Sequence, residues 1–340
     1  MYSTSTYQVP ENWLSIKTID MHTCGEPLRV ILDGFPTLKG DSVLGYRRFI
    51  KEKYDYLRTA LMFEPRGHAD MYGVIITPSN MADFGVVFLH NEGYSTMCGH
   101  ATIAIAKLAI EAGWVEKKEP ETEMLIEAPC GVLQAFVSIE NNQVSKIRFH
   151  NVPSFVVDLD QEIEVDRIGN VRYDLAYGGA YYAFVNAKSV GLECSPSNYQ
   201  NLILKGMNIK RAIMKQRDII HPLEEDLGFL YGTIFIEDSP TAHSRNVCIF
   251  AEGEVDRSPT GSGVSARLAI EYARNKTAIG EKITIESILG TKFSCQAIKA
   301  VDYEGIDAII PEVEGTAHIT GINTFVIDPV DPLKDGFILR

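Results

Sequence analysis

The chain has 340 residues, enough for two domains, with 45% hydrophobic and 23% charged residues, the balance of an ordinary water-soluble globular protein. Its formal charge of −13 argues against nucleic acid and against anionic membrane surfaces, both of which attract clustered Lys and Arg. A small anionic or zwitterionic substrate stays open, because local amides outweigh distant charges, and no apolar run reaches the ~20 residues that cross a bilayer.

The stretch Met1-Tyr2-Ser3-Thr4-Ser5-Thr6 lacks the basic and apolar regions of a signal peptide. The six cysteines, Cys24, Cys98, Cys130, Cys194, Cys248 and Cys295, form no CxxC pair and read as reduced thiols of a cytoplasmic protein. Leu14–Met21 and Leu28–Leu32 read as strands around a turn at His22–Pro27, where His22 is either a site residue or a structural histidine. Asp41–Leu61 carries apolar residues at helical spacing. Met71–Thr77 and Phe84–His90 are β-like, and the polar turn Asn91–Tyr94 delivers the chain to Ser95-Thr96-Met97-Cys98-Gly99-His100. A helix-like segment, apolar almost all round, follows to Ala112 and should be buried. Glu123–Ala128, Val132–Ile139 and Val144–His150 read as a meander, with Cys130 structural.

Around Asn151–Phe155 the chain is expected to cross into a second domain. Val171–Val185 is β-rich around Tyr177-Gly178-Gly179, Asn198–Gln216 reads as a helix, and Gly232–Ile236 and Asn246–Ala251 as strands. Asp256-Arg257-Ser258-Pro259-Thr260-Gly261-Ser262-Gly263 then leads into a helix with Val264, Leu268 and Tyr272 at four-residue steps and Arg267, Glu271 and Arg274 beside them, an amphipathic pattern. Ile283–Ile285, Phe293–Val301, Gly305–Pro311 and Glu314–Ile327 finish as strands.

The two polar stretches overlay as one device used twice: Cys98 on Thr260, Gly99 on Gly261, His100 on Ser262, each followed by a helix. Glycine lets backbone approach a ligand closely, and the first amides of a helix have no internal partner, so each start is suited to a carboxylate. A thiol there should have its thiolate favoured, with a pKa falling from about 8.5 toward neutrality. Thr260 also fits a helix cap. Asp256 is a natural partner for an ammonium group, or alternatively for the neighbouring Arg257. The scattered histidines show no metal-ligand spacing, and Gly261-Ser262-Gly263 is far short of a dinucleotide fingerprint.

At these residues the chain resembles the proline racemase family. Met97–His100 and Asp256–Gly261 are similar to its two active-site motifs, His22-Thr23-Cys24-Gly25-Glu26-Pro27-Leu28-Arg29 to its N-terminal signature, and Pro65–His68 and Tyr177–Ala183 to further motifs. The likeness runs from about Ile19 to about Asp328. It implies an α/β protein of diaminopimelate-epimerase-like fold. Two pseudo-symmetric domains, residues 1–152 with 327–340 and residues 153–326, would each wrap a curved, mostly antiparallel sheet around a central helix, with the site in the cleft. It also implies a homodimer, no cofactor, and substrate contacts from Gly99, His100, Asp256, Gly261 and Ser262. Cys24 stands where the family usually has Gly.

In family racemases and epimerases both reactive positions are Cys, one removing the Cα proton and the other returning a proton on the opposite face. The branch with Cys first and Thr second resembles trans-3-hydroxy-L-proline dehydratase. Chemistry agrees, because a Thr hydroxyl is too weak an acid or base to serve the second face, and a two-base racemisation through Cys98 and Thr260 would stop halfway. A hydroxyl at C3 offers the intermediate another exit, by loss of water to give Δ1-pyrroline-2-carboxylate. Two further readings remain: a proline racemase or 4-hydroxyproline 2-epimerase, for which Cys24 is the one spare thiol in a family motif, and a non-catalytic amino-acid-binding protein.

Overall fold

The computed structural model describes residues 8–339; residues 1–7, with the Met1–Thr6 stretch considered above, and Arg340 lie outside the described residues. Within that span, eighteen strands join one continuous sheet that folds into two lobes. Strands β1 (Leu14–Thr23) and β2 (Glu26–Asp33) are followed by helices α1 (Val43–Lys53) and α2 (Asp55–Met62). Next come β3 (Gly73–Thr77), β4 (Phe84–Leu89), β5 (Tyr94–Ser95), helix α3 (Gly99–Glu111), β6 (Glu121–Ala128), β7 (Gly131–Glu140), β8 (Gln143–His150) and β9 (Ser154–Val165). The second half repeats the order: β10 (Gly169–Tyr177), β11 (Tyr181–Asn186), α4 (Tyr199–Gln216), β12 (Leu230–Glu237), β13 (Ser244–Phe250), β14 (Glu254–Val255), α5 (Gly261–Ala273), β15 (Ile283–Glu286), β16 (Lys292–Tyr303), β17 (Ile306–Gly315) and β18 (Ala317–Ile327).

The pairings repeat as well. In the first lobe β2 runs parallel to β3, β3 antiparallel to β4, β4 parallel to β6, and β6, β7 and β8 form a meander. In the second, β11 and β12, β12 and β13, β13 and β15, then β15, β16 and β17, follow the same senses. The last strand of each repeat crosses over: β9 pairs with β10 of the second lobe, and β18 with β1 of the first. Side-chain chemistry keeps a trace of the duplication, since Ser79 Oγ donates to Glu127 at 2.5 Å and Ser239 Oγ to Glu286 at 2.6 Å at matching positions. These are the two pseudo-symmetric α/β lobes that the resemblance implied. On these pairings we propose that the return to the first domain falls near Thr316, ahead of the Val326 boundary expected from sequence.

Each central helix is enclosed by its sheet. In α3, Ile103, Ile105, Leu108 and Ile110 are buried, each contributing about 1.5–3 kcal/mol by leaving water. The sequence marked α5 as amphipathic, yet Gly261 through Glu271 are all buried. Periodicity shows where the polar stripe lies and not whether water reaches it. The expected single helix over Asp41–Leu61 is broken at Tyr54, whose φ of −133° leaves the helical region and lets α1 and α2 bend over the core formed by Val43, Ile50, Leu57 and Leu61. The sequence does not mark strand β9 by an apolar run, because its outer face alternates into solvent with acidic residues. The last two strands divide at Thr316 instead of between Pro311 and Glu314. Among the described residues no helix is long and apolar enough to cross a membrane.

The helix starts of α3 and α5 meet backbone to backbone. A Cβ added to Gly99 would lie 2.5 Å from the Gly261 Cα, and one added to Gly261 would lie 2.6 Å from the Gly99 Cα. Alanine in a first helical turn ordinarily favours the helix by up to about 1 kcal/mol over glycine. Here Gly99→Ala should invert that sign and cost about 1–3 kcal/mol through overpacking, read as a lower midpoint in chemical denaturation. An unchanged or raised midpoint would contradict the contact.

Candidate active site

The loop before each central helix is short and tightly tied, which aims its last residue into the cleft. Thr96 Oγ1 donates to the Gly179 carbonyl at 2.6 Å, and Asn151 Nδ2 donates to the Gly178 carbonyl at 2.7 Å. The Tyr177–Ala183 turn is thereby locked against both helix starts: a Cβ on Gly179 would strike Met97, and one on Gly178 would strike the Ser262 carbonyl. On the other side, the Glu26 carboxylate takes the Arg257 N–H at 2.6 Å, and Asp70 takes the Val255 N–H at 3.2 Å. First-lobe acids thus grip the second-lobe loop that carries Thr260.

Between the helix starts lies a small enclosed cavity. Cys98, Gly99, His100, Asp256, Thr260, Gly261 and Ser262, all anticipated from sequence, line it together. Tyr72, Met97, Tyr182, Tyr231 and Phe250 line it too, and sequence reasoning did not single them out. Tyr182 lay inside a family motif and Tyr72 follows one, whereas Tyr231 and Phe250 carry only a strand pattern. His22 points elsewhere: its Nδ1 accepts the Gly25 N–H at 3.2 Å and its ring sits 5.2 Å from His318. Cys24 does not line the cavity and turns its thiol to the Lys292 carbonyl at 3.6 Å. Its φ of 53° is left-handed, which is the backbone that glycine adopts without cost.

The two helix starts differ. Cys98 takes extended backbone and acts as the cap of α3, its Sγ accepting the Ala101 N–H at 3.4 Å. Thr260, expected as a cap, makes no side-chain cap bond and holds φ 70°, a strained region for a β-branched residue. Its Oγ1 is buried without a hydrogen bond of ordinary geometry, although Asp256 and Cys248 stand near it. The Asp256 carboxylate accepts the Ser258 N–H at 2.7 Å, while the Arg257 guanidinium goes to Asp70 at 2.9 Å. The Asp256–Arg257 side-chain pairing considered from sequence is therefore not formed.

The electrostatics correct one expectation. Burial pushes the Cys98 thiol well above its ordinary value, with the Asp256 and Glu26 charges adding to the rise. The helix-end amide opposes this, but desolvation outweighs it, so the thiol is not brought toward neutrality. His100 Nδ1 lies 3.1 Å from Cys98 Sγ, and burial drives that imidazole down to about 3, so it is neutral. Asp256 rises to about 6, chiefly through burial. Glu26, fully buried with Oε1 unbonded, rises too, through burial and then through Asp256. Ser262 Oγ and the Tyr182 hydroxyl share a bond of 2.7 Å.

A family model described as proline racemase matches residues 18–338. The chain is 53% identical to a trans-3-hydroxy-L-proline dehydratase of Colwellia psychrerythraea, over 97% of this chain and 94% of that one. It is 43% identical to a 3-hydroxyproline 2-epimerase of Burkholderia multivorans, over 96% and 98%. The crystal structure of a hydroxyproline epimerase from Agrobacterium vitis with bound trans-4-hydroxy-L-proline superposes with a TM-score of 0.92 at 30% identity, covering 97% of this chain and 96% of that one.

The raised Cys98 thiol predicts the pH dependence of alkylation in the ligand-free protein. The thiolate fraction grows with pH, so the rate of Cys98 modification by iodoacetamide, followed by peptide mass analysis, should still be climbing above pH 9. A plateau near pH 7 would contradict the burial argument.

Proposed function

The chain belongs to the proline racemase family, and from the placement of a thiol and a Thr hydroxyl at the two helix starts we propose that it dehydrates trans-3-hydroxy-L-proline to Δ1-pyrroline-2-carboxylate. The observation that carries this reading is the pairing itself. One reactive position holds a group that can accept a proton, and the other holds a hydroxyl that cannot exchange one at neutral pH.

In this reading the substrate carboxylate takes the free amides at the start of α5, Gly261 and Ser262, and the ring ammonium sits at Asp256. That ammonium offsets the Asp256 and Glu26 charges, which add to the burial that keeps Cys98 protonated, and the thiol proton leaves to solvent as the zwitterion enters. The Cys98 thiolate then removes the Cα proton. In the trans isomer the C3 hydroxyl lies on the same ring face as that hydrogen. The electron pair of the C–H bond forms the C2–C3 double bond as the C3–O bond breaks. The new Cys98 thiol gives the departing oxygen its proton, either directly or through neutral His100, which takes that proton on one ring nitrogen as it releases the other to the oxygen, and water leaves. The enamine tautomerises to the Δ1-pyrroline. Thr260 presents its hydroxyl to the opposite face and leaves that face without an acid, so no epimer forms there. The acceptor is an amino-acid side chain throughout, and the step draws on no cofactor.

Cys24, the spare thiol of the epimerase reading, turns away from the cavity, which favours dehydration. The high identity to a named dehydratase supports the same choice. A reducing, cytoplasmic setting belongs to this proposal because Cys98 acts as a free thiol, and so does the homodimer implied by the family resemblance, which sedimentation would test.

Purified protein given trans-3-hydroxy-L-proline should form a product that traps with o-aminobenzaldehyde, and Cys98→Ser should lower the rate by about a thousandfold, the scale of losing a general base. No product from the wild type would sink the proposal. Thr260→Cys restores a second thiol and should bring deuterium into Cα of L-proline with inversion in D2O. Cys24→Ser should keep full turnover, and a comparable loss there would overturn the reading that Cys24 stands outside the reaction.

A further inference from the structure

Helix α5 buries the charged pair that its sequence seemed to offer to water, with Arg267 at 9% and Glu271 at 1% exposure. The internal repeat shows how unusual this is. Aligning the helices on Cys98 and Thr260 sets Arg267 on Ile105 and Glu271 on Ala109. Aligning the strands by their parallel partners, Phe84 beside Ile126 and Ser244 beside Ile285, sets Ser244 on Phe84 and Asn246 on Val86. In the first lobe those four positions are buried apolar side chains of one core. In the second lobe all four are polar and buried.

Their polar atoms are left without ordinary hydrogen bonds: Ser244 Oγ, both amide atoms of Asn246, Arg267 Nε and both Glu271 oxygens. Glu271 is held by charge, with the Arg267 guanidinium at one oxygen and His243 Nε2 3.8 Å from the other. A buried polar atom that nothing polar meets is unfavourable, so this lining is suited to a polar ligand. Ser244, His243, Arg267, Glu271 and Lys276 line an open cavity of about 260 Å³ at this end of α5. It lies about 16 Å along the helix from Thr260, at 1.5 Å per residue.

The lining selects a ligand class. A simple anion would meet Glu271 together with Glu237 and Asp238, and a metal cation would meet Arg267 and Lys276. A dipolar ion satisfies both sets. We propose that this cavity binds a small zwitterionic amino acid, with its carboxylate on Arg267 and Lys276 and its ammonium on Glu271, as a second site separate from the cleft at Cys98. The proposal does not rest on the dehydratase reading.

Titration calorimetry with L-proline tests it, because L-proline also suits the cleft and the variants separate the two sites. The wild type should show a binding component that weakens about tenfold or more in Glu271→Gln and in Arg267→Met, the scale of removing one partner of a buried charge contact. That component should persist in Asp256→Asn, which alters only the cleft, and should be absent with N-acetyl-L-proline methyl ester, which lacks both charges. Circular dichroism and thermal unfolding check that the variants fold. Should either buried variant unfold, the exposed Lys276→Met substitution should still weaken the component several-fold. No such component at tens of millimolar L-proline, isotherms unchanged in the variants, or loss of the component in Asp256→Asn would each overturn the proposal.

Discussion

The close approach of Gly99 and Gly261 is the constraint on which the rest of this structure depends. Two helices enter a common cleft from opposite lobes with their first turns in backbone contact, a packing that only glycine allows at both positions. It brings the unpartnered amides of both helices, and the residues at their caps, to a single small cavity. The surrounding ties serve that contact. The locked Tyr177–Ala183 turn on one side, and Glu26 and Asp70 gripping the Asp256–Thr260 loop on the other, hold the lobes at the separation that the glycines permit.

Enclosure of that kind has an electrostatic consequence. A helix start favours a thiolate by one or two charge-assisted hydrogen bonds, but a fully buried thiol also loses the solvation of its charge, and here that loss is the larger effect. The same burial holds His100 neutral and lifts Asp256 and Glu26. The cavity therefore keeps Cys98 and His100 uncharged beside carboxyl groups whose pKa values are raised.

The two halves of the chain share an element order and differ at their sites. The last strand of each repeat pairs with the first strand of the other, β9 with β10 and β18 with β1. Matching positions have since drifted in opposite directions. Cys98 caps its helix, while Thr260 holds a strained backbone and makes no side-chain cap bond at the other. The core under α3 is apolar where the core under α5 carries Arg267, Glu271, Ser244 and Asn246.

Much of this was legible in the sequence. The Cys98 and Thr260 loops, their glycines, Asp256 and the helices behind them could be read because helix starts and reactive residues leave local signatures, and the strand order of both halves follows from alternating apolar segments. The pairing of β9 and β18 with the opposite lobes, the orientation of Cys24 away from the cavity, and the presence of Tyr231 and Phe250 in it depend on contacts between residues far apart in the chain, which periodicity does not encode. Burial was the other quantity decided only by the tertiary structure. An amphipathic pattern cannot tell a stripe facing water from one sealed against a polar strand, and a motif cannot tell how completely its thiol is desolvated. The sequence determined which groups exist and which helix each one heads; the fold determined their solvation and their distances, and with these their charge.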